Sequence, residues 1–372
     1  MKKLISFGVL IGVMILVLSA CQPKEVKIAF VSRSENVTGN YSFIFLMNKD
    51  GSNQTDLALW PSFAAPDPRQ LWSKDGTKLA YIEYKREESA ATWLCVVDAD
   101  GSNRRRLLDI SGYHVDNIAM SPDGNTILMA YTTPRSVEVP HEGHIDIETN
   151  YVSNIYAVDV ATGTVKPLTD FTGIKADRVV FSPDGRLVAF VGRTDDPYTE
   201  LNIYIMNADG SNLRKLTDYH VLELLNPAHS LYWSPDSRKI LAVPETMMLS
   251  DIEYYTDLYL IDVASGETIN LTNSPYTDDF YPAWSPDGKK IAFVSGNSTS
   301  GYNINTMNAD GRNMAKVVDN AGFPSWLPDG KRIIATSSEI SLRSKIFIID
   351  ADGQNLQGIS NSRGSFPLWL SK

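Results

Sequence analysis

Cysteine is nearly missing from this chain, which holds only Cys21 and Cys95 in 372 residues. Cys95 lies in the apolar run WLCVVD, where a thiol packs as a small hydrophobe rather than serving as a nucleophile. With Cys21 assigned below to another role, no intrachain disulfide is expected. Catalytic signatures are equally short. No G-x-S-x-G elbow, phosphate-cradling glycine loop or H-E-x-x-H pair occurs, which excludes a serine peptidase built on this chain alone. Positive charge is outweighed, 34 Lys and Arg standing against 44 Asp and Glu for a formal net charge of −10. That balance argues against nucleic acid and acidic polymers as partners.

What the chain does have is a repeat. In WSPDGKKIAFVSGNSTSGYNINTMNADGRN, Trp284 to Asn313, the runs Lys290–Ser295 and Tyr302–Asn308 alternate apolar and polar residues as half-buried strands do. Ser285-Pro286-Asp287-Gly288 makes a tight turn before the first run, and Asn308-Ala309-Asp310-Gly311 makes another after the second. The unit is strand A, tight turn, strand B, free loop, strand C, tight turn, strand D: the four-stranded antiparallel blade of a β-propeller. Strand A with its turn recurs at Trp72, Met120, Phe181, Trp233, Trp284 and Trp326, with a last Trp369. Strand B recurs at Lys27–Ser32, Lys78–Glu83, Thr126–Tyr131, Leu187–Gly192, Lys239–Pro244, Lys290–Ser295 and Arg332–Ser337. These counts predict an all-β fold of seven blades, with six as the alternative. Residues 26 onward begin with B, C and D, while Phe366–Leu370 supplies an unmatched A. The C-terminal strand is therefore expected to join the N-terminal blade and close the ring.

Residues 1–20 read as a targeting segment, with Lys2 and Lys3 ahead of an apolar Leu4–Leu18. Leu18-Ser19-Ala20-Cys21 resembles the lipobox of bacterial lipoproteins, which implies lipidation of Cys21, a short tether over 21–25 and a propeller over 26–372. Losing Lys2 and Lys3 moves the formal charge from −10 to −12.

FSPDGRLVAFVG and IYIMNADGSNLRKLT, Phe181–Gly192 and Ile203–Thr217, resemble the TolB-like propellers with WD-like or PD40 repeats. The resemblance spans residues 26–372. It implies the fold strongly and function weakly, since related propellers occur in the Tol–Pal envelope system, in dipeptidyl-peptidase-like enzymes and in an oligogalacturonate lyase family. The Tol–Pal protein itself carries an α/β domain ahead of six blades.

The tight turns repeat, whereas the B–C and D–A connections vary, and variable loops on a rigid scaffold are where binding concentrates. Those connections are Thr132–Ser153, Arg193–Glu200, Tyr219–Leu231, Glu245–Asp257 and Asn273–Pro282. They carry Glu138, Glu142, Asp146, Glu148, Asp195, Asp196, Asp251 and Glu253. The ligand-binding candidates are Tyr198, Tyr219, Tyr254, Tyr255, Tyr276, Asp278, Asp279 and Tyr281, an acidic and aromatic rim suited to polar protein surfaces, sugars or cations. His141, His144, Asp146 and Glu148 could offer nitrogen and oxygen ligands to a divalent metal, although a polar loop explains them as well. The D-x-D-G turns are structural, and the repeated tryptophans are inter-blade packing.

These observations point to a monomeric, non-catalytic module in the bacterial cell envelope, periplasmic or at the cell surface. It touches the membrane only through its anchor, uses no cofactor, and binds an envelope or extracellular protein, peptide or glycan. The alternative is a metal-assisted polysaccharide lyase or hydrolase.

Overall fold

The computed structural model describes residues 27–33, 41–61, 68–84, 92–112, 114–141, 144–172, 174–194, 202–217, 231–243, 245–247, 254–337, 346–360 and 365–370. Apart from a short 3-10 turn at Pro68–Leu71, every regular element among them is a strand. Strand B begins at Lys27, Lys78, Thr126, Leu187, Lys239, Lys290 and Arg332, the positions the repeat predicts.

Local chemistry explains each unit. In the A–B turn of the opening repeat, the Ser285 hydroxyl donates to Asp287 Oδ1 at 2.7 Å and accepts from Lys290 N at 2.9 Å. Gly288 N donates to Ser285 O at 2.8 Å, with φ at +70°. Ser73, Ser121, Ser182 and Ser234 make the same pair of bonds in their own repeats. Serine, aspartate and glycine each have a part in this turn, while Ser237 takes the glycine place at φ +61° and Leu327 the serine place in two other repeats.

The sheets follow chain order. Asp278–Trp284, Lys290–Asn297, Gly301–Asn308 and Ala315–Val318 form one four-stranded sheet, and Ala321–Trp326, Arg332–Ser337, Ile346–Asp350 and Gln357–Ser360 the next. Closure is direct: Ser365–Leu370 pairs antiparallel with Lys27–Arg33, Ile28 standing opposite Trp369 and Lys27 opposite Leu370.

The blade count needs correction. Seven separate four-stranded blades were expected, and the described strands make five sheets of four or more strands, with a three-stranded sheet and a two-stranded ribbon. Two causes account for the difference. A parallel bridge between Lys175 and Ser153 fuses two repeats into one eight-stranded sheet. In the repeat around Lys78–Tyr84, strand A is reduced to the single bridge Trp72–Leu79, because its approach is a 3-10 turn.

Neighbouring repeats meet at backbone distance. A Cβ on Gly353 would lie 2.8 Å from Val317 O of the preceding repeat, and one on Gly311 would lie 3.1 Å from Leu271 O. Gly51 approaches Ile359 O in the same way, which carries the contact across the closure. Tryptophan supplements this contact: Trp326 Nε1 donates to Ala283 O at 3.0 Å and Trp284 Nε1 to Tyr232 O at 3.2 Å, each in the repeat before.

Two outcomes follow. Truncation after Gly364 removes the strand that closes the sheet, and a thermal melt is expected to fall sharply; an unchanged melt would reject closure. Gly353→Ala forces a side chain against Val317 O at φ +87° and should cost about 1–3 kcal/mol in urea unfolding.

Candidate functional site

Strand A of each repeat starts at the end of the ring that bears the B–C and D–A connections. The A strands Asp278–Trp284, Ala321–Trp326 and Ser365–Leu370 pack against one another in succession, so they line the axis. Each is interrupted by a bulge, after Phe280, after Gly322 and beside Ser365. At the bulges Tyr281, Phe323 and Phe366 adopt φ of +51°, +54° and +51°, a region bulky residues rarely occupy. The result is an aromatic cluster, with ring centroids 4.7 Å apart for Tyr281–Phe323, 5.3 Å for Tyr281–Phe366 and 4.2 Å for Phe323–Phe366. All three rings keep part of their surface exposed. Arg69 reaches the same place from the 3-10 turn, donating to Pro282 O at 3.1 Å with its guanidinium 4.9 Å from the Tyr232 ring centre. Gln70 Nε2 donates to Leu231 O at 3.3 Å, so this turn ties the axis to two other repeats.

Elsewhere around the axis the bulge position is polar. Arg178, at φ +55°, lies 3.6 Å from Asp177. Asp116 Oδ2 accepts from the Thr132 and Ser153 hydroxyls at 3.0 Å each, and His114 Nε2 stands 3.3 Å from its other oxygen. Burial, then the neighbouring Asp177 charge, raises the pKa of Asp116.

The expected rim divides in two. Tyr255 and Tyr276 meet edge-on at 5.9 Å, with Tyr276 59 % exposed. Asp278 accepts from the Tyr302 hydroxyl at 3.3 Å. Tyr281 instead belongs to the axial cluster. The segment Asn273–Pro282 was expected as a loop, yet Asp278, Asp279 and Tyr281 lie within strand Asp278–Trp284, because strand A runs on past its bulge. Thr132–Ser153 is likewise no loop: Thr126–His141 and His144–Asp159 continue as a paired ribbon, His141 opposite His144. The alternation in Val137-Glu138-Val139 and Ile145-Asp146-Ile147 carries the strands onward. Tyr198, Tyr219 and Cys21 lie outside the described residues, as do the side chains of Tyr254, His141, His144, Asp146 and Glu148.

Sequence reasoning missed Phe323, Phe366, Arg69, Arg178, Asp116 and Asp177. A usable signal was present, since Tyr281-Pro282-Ala283-Trp284, Phe323-Pro324-Ser325-Trp326 and Phe366-Pro367-Leu368-Trp369 share an aromatic-Pro-x-Trp pattern. Cys95 is buried, its thiol pushed up to about 12 by desolvation, and is inert.

Asp279 is fully buried. Burial pushes its pKa up to about 6; the hydroxyls of Ser295, Thr272 and Ser274 draw it down, and Asp257 adds to the rise. Its carboxylate oxygens make no hydrogen bond of normal geometry. A carboxyl whose folded pKa exceeds its unfolded value stabilises the fold when protonated, and this stability is lost as pH rises through the folded value. Asp279→Asn should therefore melt higher than the parent at pH 7.5, with the gap narrowing as pH falls through 6. A gap constant between pH 5 and 7.5 would reject this assignment.

The TolB beta propeller domain, PD40, matches residues 144–369. The Tol-Pal system protein TolB of Francisella tularensis subsp. mediasiatica is 25 % identical over 283 residues, covering 64 % of this chain and 59 % of that protein. An uncharacterized peptidase, YuxL of Bacillus subtilis, is 32 % identical over 176 residues, covering 39 % of this chain and 25 % of the relative. The chain thus spans between a quarter and three-fifths of these relatives' lengths. Among solved structures, TolB from Acinetobacter baumannii superposes with a TM-score of 0.51 at 18 % identity, covering 93 % of this chain and 82 % of that one. A manganese-bound oligogalacturonate lyase gives a TM-score of 0.59 at 12 % identity, covering 91 % and 86 %. These two likenesses establish the fold alone. With its repeats, its all-β sheets and a domain match over more than half its length, the chain belongs to the TolB β-propeller domain family.

Proposed function

We propose that this chain is a lipid-anchored, extracytoplasmic propeller that works by binding an envelope or extracellular protein, peptide or glycan at its loop-bearing end, without turning over a substrate. In this reading residues 1–20 direct export, Cys21 carries the lipid, and residues 21–25 tether the ring. The observation that carries it is the pair of aromatic surfaces at that end, Tyr255 with Tyr276 and Tyr281 with Phe323 and Phe366. Aromatic rings on a rigid sheet offer large contact area at little conformational cost and are frequent interface anchors. The strain at the three axial bulges supports the same reading, because unfavourable backbone states concentrate where they position side chains for use.

Other features agree. The Francisella relative is named as part of the Tol-Pal system, which favours a role in the envelope. Cys95, the one cysteine among the described residues, is buried, which removes a thiol nucleophile.

The test is capture from envelope extract by the full chain carrying Cys21→Ser, with every captured component followed through a set of variants. Tyr255→Ala with Tyr276→Ala, or Phe323→Ala, should weaken the true partner by about 2 kcal/mol or more, roughly thirty-fold in Kd. Lys289→Ala on the turn end should leave it unchanged. Retention undiminished by every loop-end and axial substitution rejects the reading.

A further inference from the structure

We infer that the turn-bearing end of the ring lies against the lipid bilayer, so that the loop-bearing end and its aromatic surfaces face away from it. The inference rests on lipidation of Cys21.

Lys27 opens the first strand opposite Asn48, and its Nζ donates to Asn48 Oδ1 at 2.5 Å. Asn48 in turn starts the C–D turn, with Gly51 N donating to Asn48 O at 2.9 Å. The chain therefore enters the ring at its turn end. Cys21 stands six residues before Lys27, a reach of about 20 Å at full extension. Strand Lys27–Arg33 itself rises roughly 20 Å towards the other end. An anchor that had to pass back along the ring to the loop end would use up its whole length.

Among the described residues five large hydrophobic side chains are exposed, and four of them, Leu213, Ile269, Met314 and Leu356, are 43 %, 50 %, 44 % and 58 % exposed. Each stands third after the glycine of its C–D turn, Gly210, Gly266, Gly311 or Gly353. They thus form an arc along the turn end of the outer strands in four consecutive repeats. The equivalent positions of the other three repeats hold Gln54, Arg104 and Lys166; Arg104 is turned onto Leu57 O and the Tyr81 ring and Gln54 onto the Ser360 hydroxyl, so the apolar arc is confined to four repeats. Arg214, Lys215, Arg312 and Lys316 flank the arc; Arg214 donates to Val263 O, while Arg312 lies 3.9 Å from Asp310 and Lys316 2.7 Å from Asp319, so the arc is bordered by charged pairs of both signs, as an apolar surface set at a headgroup layer can be. Aspartates at this end keep their charge, since bonds such as those from Ser211 Oγ and N to Asp209 at 2.6 and 2.9 Å hold the carboxyl below its usual pKa, so the apolar arc rather than net charge carries the contact.

The test uses the acylated full-length protein in vesicles of phosphatidylethanolamine and phosphatidylglycerol containing a lipid with a nitroxide in its headgroup region. Single fluorophores are attached at Met314→Cys, Leu356→Cys and, as the loop-end control, Thr299→Cys. Cys95 is buried and does not compete for the label. Labels at 314 and 356 are expected to lose most of their emission, while the label at 299 keeps its own. Equal quenching at all three sites, or quenching at 299 alone, overturns the orientation. Labels at 314 and 356 that are shielded before lipid is added and indifferent to it afterwards would show a second copy or another protein on the arc, and would also overturn it. Mass analysis of the N-terminal peptide separates the two readings. An acylated Cys21 with the wrong quenching pattern defeats the orientation alone, whereas an unacylated Cys21 removes the anchor and the orientation together.

Discussion

The fold depends on how closely one repeat can press its C–D turn against the outer strand of the repeat before it. At Gly353 and Gly311 the neighbouring backbone oxygen occupies the space a Cβ would need. The turn also holds these residues at positive φ, so geometry and crowding make the same demand on one residue. This accounts for what varies and what does not. Where Asp-Gly is replaced by Thr162-Gly163 or Ser265-Gly266 the glycine stays, and Asp159 or Asp262 supplies the turn's carboxylate from further back. One end of the ring is thereby held to a single geometry, which leaves variation to the other.

The axis is governed by a different constraint. Inner strands converging on a centre have no room for uninterrupted pairing, and bulges relieve the crowding by turning one side chain per strand inward. Tyr281, Phe323 and Phe366 occupy these positions on one side, Arg178 on another. Each left-handed residue costs on the order of 1–3 kcal/mol. Mutual packing of the three rings and the buried prolines that follow them, Pro282, Pro324 and Pro367, offsets it. Arg69 joins this wall to Tyr232, so the axial surface belongs to several repeats at once and to none alone.

The two ends consequently do different work in the proposed function. The turn end, constant and compact, takes in the chain at Lys27 and bears an apolar arc; the loop end carries paired tyrosines and the axial rings. Asp279 belongs to the loop end, the second residue of strand Asp278–Trp284, its carboxyl sealed from solvent and raised towards neutral pH by burial.

Strand order, turn chemistry and closure were legible in the sequence because they rest on contacts a few residues apart or on a pattern repeated many times. Ser285, Asp287 and Gly288 act on one another within a single turn, and the unmatched strand near Trp369 has one open place to go. The site was only half legible. Tyr255 and Tyr276 could be read as candidates, but nothing local shows that they meet, or that Tyr281 turns away from them to join Phe323 and Phe366. The fusion of two sheets through Lys175 and Ser153 was equally invisible. The sequence by itself determined the repeat, its turns and the kind of fold, because these follow from short-range backbone demands. Only the tertiary structure decided which side chains share a surface, because that depends on how strands far apart in the chain converge on one axis.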